Sequence, residues 1–128
     1  MIEGLEQLYE RIAKLIQEAI PEDWAMAKLE AVFYSDMSEC IGEYTRASDG
    51  AARSFATGLA GQRAFRELRQ RFKEAGQPLW GGAVFELSPD GKFNVKWIYD
   101  NCDEHGDTLW NEVDWRRRQE DRHRRLTQ

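Results

Sequence analysis

The strongest constraint on the fold lies between residues 83 and 99. Ala83, Phe85 and Leu87 alternate with polar or smaller neighbours, Pro89-Asp90-Gly91 supplies turn chemistry, and Phe93, Val95, Trp97 and Tyr99 alternate back. A period of two on both sides of a turn predicts a β-hairpin with one apolar face. That face must be covered by another layer, so the rest of the chain has to supply helices with a matching apolar stripe.

Two stretches do so. Leu5, Leu8, Ile12, Leu15, Ile16 and Ile20 recur at helical spacing until Pro21, which lacks the amide hydrogen a further turn needs. Phe65, Leu68 and Phe72 form a second stripe in a helix expected over 61–75, with Gly76 as its C-cap and Pro78 blocking continuation. Between them the period falls to two from Trp24, which places Ala25, Ala27, Leu29, Ala31 and Phe33 on one side of a strand. The alanines would let a helix approach closely. Ser35-Asp36-Met37-Ser38 turns the chain into a second strand over 39–46, and Ser48-Asp49-Gly50 turns it again. Residues 51–57 fit either a third strand or an early helical turn. A last helix is expected from Thr108, packing through Trp110 and Val113 and running into an arginine-rich end.

The expected architecture is therefore α+β: a two-layer domain with an antiparallel sheet of four to five strands covered by helices, in the order helix, strands, helix, hairpin, helix. The 128 residues suit one domain, 1–128, with 116–128 as a basic, extended helical tail. Apolar residues make up 41% and charged residues 32%, a globular balance. The opening lacks a basic, apolar leader, and no apolar run reaches the ~20 residues that span a bilayer, so a cytoplasmic location is expected. Cys40 and Cys102 form no spaced cluster and read as reduced thiols.

Assembled chemistry is hard to find. Neither Gly-x-Ser-x-Gly nor a phosphate-binding loop is present, and Gly81-Gly82 precedes a strand rather than a helix. Cys40 is flanked by Glu39 and Glu43, which disfavour a thiolate. His105 with Asp103, Glu104 and Asp107 is a weak metal pattern, and a solvated loop histidine is the simpler reading. No catalytic residue, cofactor or metal is expected.

Charge is more informative. Residues 115–128 carry Arg116, Arg117, Arg118, Arg122, Arg124 and Arg125 against Glu120 and Asp121, a balance of +4. That leaves −9 on the rest of a chain whose net charge is −5. An acidic body favours a basic protein partner. Asp36, Glu39 and Glu43 near the first strand turn, with Asp100, Asp103, Glu104 and Asp107 after the hairpin, form the expected partner-binding set if both groups reach one edge of the sheet. The arginine run has three readings: a nucleic-acid contact, the solvated end of a helix, or an anchor of that helix against the acidic body.

Four stretches carry a family resemblance. They are the amphipathic opening through Ile20-Pro21-Glu22-Asp23-Trp24, the strand pair after it, the helix from Phe65 to Pro78, and Leu79-Trp80 with the hairpin through Gly91-Lys92-Phe93 to Tyr99. In pattern and order the sequence resembles the YezG-like immunity proteins, bacterial antitoxins encoded beside secreted polymorphic toxins. The resemblance covers most of 5–100, and Trp110 or Trp115 would fill the place of a tryptophan-containing basic segment at the family's end. It implies a non-enzymatic protein that binds and blocks a cognate toxin, often a nuclease, in the cytosol. The competing expectation is a nucleic-acid-associated regulator using the arginine-rich helix.

Overall fold

A computed structural model describes residues 2–127. The first apolar stripe forms α1 (Leu5–Ala19), which buries Leu8, Ile12 and Ile16. The strands follow as β1 (Trp24–Phe33), β2 (Ser38–Arg46) and β3 (Ala52–Phe55), so the undecided segment 51–57 is mainly strand. Next come α2 (Gly58–Glu74), the hairpin β4 (Gly82–Leu87) and β5 (Phe93–Ile98), and finally α3 (Glu112–Leu126). The five strands form one antiparallel sheet in the order β3-β2-β1-β4-β5. The expected α+β fold with an antiparallel sheet of five strands is observed, with α1 and α2 on one face of that sheet.

Register explains which residues reach the core. Ala27, Leu29 and Ala31 of β1 stand beside Tyr44, Gly42 and Cys40 of β2, and beside Leu87, Phe85 and Ala83 of β4. All lie on the face covered by α1 and α2, whose Phe65, Leu68 and Phe72 complete the cluster. Gly42 is small for a reason: a Cβ there would sit 2.7 Å from the Phe55 carbonyl oxygen. Trp80 lies at the centre, fully buried, with its ring 5.9 Å from Phe33, 5.8 Å from Phe72 and 5.0 Å from Trp97. α2 ends as expected. Gly76 is left-handed at φ +71, its N–H donates to the Lys73 carbonyl, and the Gln77 N–H donates to Phe72. These two bonds satisfy carbonyls the helix would otherwise leave open.

Two sequence expectations are corrected. Ala25 is exposed rather than inward, because the register slips between Trp24 and Met26 and the period-two count starts afresh after the slip. The last helix begins at Glu112, not Thr108, and Val113 is 66% exposed instead of packed. Asn111 sets that start: it is extended, and its side-chain oxygen accepts from the Asp114 N–H. Thr108 is held outside the helix, where its N–H donates to the Phe33 carbonyl.

Candidate functional site

The face of the sheet away from α1 and α2 is polar. It carries Lys28, Glu30 and Val32 from β1, Glu39, Ile41 and Glu43 from β2, and Gly82, Val84 and Glu86 from β4. Two structures lie over it, the 99–111 loop and α3.

The loop is pinned at both ends. Asp103 accepts from the His105 and Asp107 N–H groups at 2.9 and 3.0 Å, and the Asp107 and His105 amides hold its carboxyl below the usual range. Arg69 reaches in from α2. Its Nε donates to the Trp80 carbonyl at 3.0 Å, and its Nη2 donates to the Gly106 carbonyl at 2.7 Å and to Asp107 at 2.9 Å. Thr108 Oγ1 donates to the Gly81 carbonyl. The loop comes so close that a Cβ on Gly81 would stand 2.5 Å from both Cys102 Sγ and Thr108 Oγ1. Gly81 thus serves loop packing, while a Cβ on Gly82 would meet the neighbouring strands at Ala31 and Ile98.

α3 presents one side to the sheet. Trp115, Arg118 and Arg125 fall on that side, one turn and then two turns apart. Trp115 Nε1 donates to Glu39 at 2.7 Å, Arg118 to the Tyr34 hydroxyl at 2.9 Å, and Arg125 to Glu43 at 3.1 Å. Lys28 also approaches Glu43, at 3.3 Å. Burial works against the Arg118 charge, but Tyr34, Glu30 and Glu39 outweigh it and hold the guanidinium charged more firmly than usual. Arg116, Arg117 and Arg124 pair with Glu112, Asp114 and Asp121 on the helix itself. Of the three readings of the arginine run, Arg118 and Arg125 match the anchor, while Arg116, Arg117 and Arg124 match the solvated side of a helix.

A groove of about 610 Å³ opens between the loop and the start of α3. Val32, Gly82 and Ile98 form its floor, while Asp100, Leu109, Trp110, Asp114 and Arg118 rise around it. Leu109 is 56% and Trp110 52% exposed, although Trp110 packs edge-on to Tyr34 and leans on Trp115.

The seven acidic residues expected to bind a partner divide in role. Asp36, Asp100 and Glu104 are exposed. Glu39 and Glu43 lie under α3, and Asp103 and Asp107 are spent on holding the loop. The two groups are neighbours, because a bridge between Tyr34 and Thr108 joins their segments. Sequence reading missed Leu109 as a surface residue and treated Trp110 as packing. The signal was available in their position between an acidic loop and a helix cap.

Cys40 faces α2, whereas Glu39 and Glu43 both lie on the other face of the sheet. Burial, not the glutamates, pushes its thiol up to about 11, and Thr57 Oγ1 at 3.9 Å lowers it only in part. At pH 8 such a thiol is about one-thousandth thiolate. In the folded chain Cys40 is therefore expected to resist iodoacetamide and to become reactive on denaturation, which peptide mass mapping reads directly. Rapid labelling of native Cys40 would contradict the burial. His105 is exposed and, among the described residues, pairs with Glu104 at 3.4 Å. Among the described residues no group of three His, Cys, Asp or Glu side chains is placed to hold a metal. Nor is any described helix long and apolar enough to cross a membrane.

The model of the family described as "Immunity protein YezG-like" matches residues 52–121, more than half of the chain. The chain belongs to the YezG-like immunity protein family. The match runs from β3 through the pinned loop and into α3, so it includes Trp110, Trp115 and Arg118, while α1, β1 and β2 lie outside it. Among curated proteins the chain is similar to Immunity protein YezG of Bacillus spizizenii (strain ATCC 23059 / NRRL B-14472 / W23). The two are 26% identical over 111 residues, covering 73% of this chain and 68% of the relative.

Proposed function

We propose that the chain is a single-domain, non-enzymatic, cytoplasmic immunity protein that neutralises a cognate bacterial toxin by binding it. We further propose that the toxin is a basic nuclease of a secreted or contact-dependent polymorphic system. Membership of an immunity protein family supports the first statement. The −9 charge carried outside the arginine-rich end supports the second, since a cleft built for phosphates attracts carboxylates.

The contact surface is the rim of the outer groove. One observation carries this assignment: Leu109 and Trp110 stand more than half exposed on a loop that Arg69, Thr108 and Asp103 hold rigid. A rigid aromatic anchor loses little freedom on docking, and such residues dominate interface energetics. Asp100, Asp36 and Glu104 are the exposed carboxylates of the seven and steer a basic partner to it. Asp103 and Asp107 contribute by shaping the loop, and Glu39 and Glu43 by holding α3. The nucleic-acid reading has less support, because Arg116, Arg117, Arg124 and Arg125 already face carboxylates.

The toxin encoded beside this chain is expected to bind it at nanomolar affinity or tighter, about −12 kcal/mol. Trp110→Ala is expected to cost about 2 kcal/mol or more of that, roughly thirty-fold in affinity. Calorimetry with the purified pair decides. Absence of heat with the wild-type chain removes the immunity reading; full affinity in Trp110→Ala removes the surface assignment alone.

A further inference from the structure

α3 is attached differently from the rest of the molecule. Its fifteen residues include no buried one, whereas α1 and α2 each bury an apolar stripe. A helix of that length is marginal by itself in water. What holds it down is mainly polar: Arg125 on Glu43, Arg118 on Tyr34 and Trp115 on Glu39, with the Trp115 ring also against Trp110. Beneath it the seal is incomplete. The second Glu39 oxygen is buried without a partner, and a cavity of about 230 Å³ separates Arg118 and Arg125 from Glu30 and Val84. The main apolar cluster lies on the opposite side of the sheet. Losing α3 would uncover Glu30, Glu39 and Glu43 together with the smaller apolar contribution of Ile41 and Val84, and would leave that main cluster covered.

We propose that α3 is a salt-labile strap that lifts from the outer face of the sheet as a unit while the remaining helices and strands stay folded, and that a basic segment of the partner takes its place on Glu30, Glu39 and Glu43. Charge complementarity identifies that occupant: the face already holds arginines from this chain, so a partner presenting arginines or lysines competes for the same carboxylates. In the free protein the strap pairs Arg125 with Glu43 and covers Glu39 through Trp115, which also limits binding by weaker basic ligands. This inference rests on the reading of the partner as a basic protein.

Backbone amide exchange in the full chain tests it. Screening length falls from about 30 Å at 0.01 M salt to about 3 Å at 1 M. Over that range the amides of 112–126 are expected to exchange about ten-fold faster, while those of β1 and β4 change less than about two-fold. The Arg118→Ala/Arg125→Ala variant should show the same selective loss at low salt. Both positions lie on the solvent-rich helix, so the core keeps its fold, and unchanged exchange in β1 and β4 checks that. Equal protection of α3 and the sheet under all these conditions overturns the strap. With the adjacent-encoded toxin bound, α3 exchange should rise further. A fall or no change on binding overturns the displacement, whereas a toxin that fails to bind at all counts against the immunity reading and leaves the free-chain result standing.

Discussion

Trp80→Ala is expected to lower the free energy of unfolding by about 3–5 kcal/mol, and Trp80→Phe by less than about 1.5 kcal/mol. The two substitutions separate volume from polarity. Trp80 is fully buried among Phe33, Phe72 and Trp97, so removing the indole opens a void that three large rings cannot close by small shifts. The indole N–H, however, is buried with no acceptor. An unpaired buried donor costs about 1–3 kcal/mol, and phenylalanine removes that cost while filling much of the space. Urea denaturation followed by far-ultraviolet circular dichroism gives both numbers. A Phe variant as damaged as the Ala variant would mean that the N–H has a partner, and the packing account of this residue would fail.

Arg69→Ala is the second large effect, expected at about 2–4 kcal/mol. One guanidinium serves the Trp80 carbonyl, the Gly106 carbonyl and Asp107, and its plane lies 5.1 Å from the Phe33 ring centre. Its removal leaves two carbonyls and a carboxylate without their donor. The side chains of Arg69 and Asp107 are 17% and 20% exposed, so water recovers part of the loss, and the figure stays below that for a fully buried pair. Lysine at 69 is expected to restore less than half, because a single ammonium cannot reproduce the forked geometry. The consequence for binding is separable from stability. Arg69 anchors the loop that carries Leu109 and Trp110, so Arg69→Ala should weaken toxin binding at a temperature where the variant remains folded, chiefly by faster dissociation. Surface plasmon resonance measures that directly. Unaltered dissociation would show that the loop keeps its shape without Arg69.

Both residues illustrate what is readable before a structure exists. Arg69 reads as one of several arginines on the polar side of an amphipathic helix, and nothing in 61–75 distinguishes it from Arg66 or Arg71. Its importance comes from Asp107 and Gly106, which are nearly forty residues away in sequence and meet it only when the loop folds back over β4. Glu39 and Glu43 are a second case. Their period-two spacing placed them together on one strand face. It carried no sign that Trp115 and Arg125, more than seventy residues on, would cover them.

The sequence by itself determined the elements and the covered face: the hairpin, the paired strands, the two apolar helices and the charge division between body and tail. These follow from periodicity, turn residues and composition, which act over a few neighbouring residues. The family was legible for the same reason, since its pattern is an order of such local signals. Only the tertiary structure decided which carboxylates are exposed, that burial raises the Cys40 thiol, that Val113 faces water and that the arginine helix lies across the acidic face. Those outcomes depend on which charges meet across the fold. An ion pair between distant positions leaves no periodic trace in the chain, because its geometry exists only after the sheet has formed.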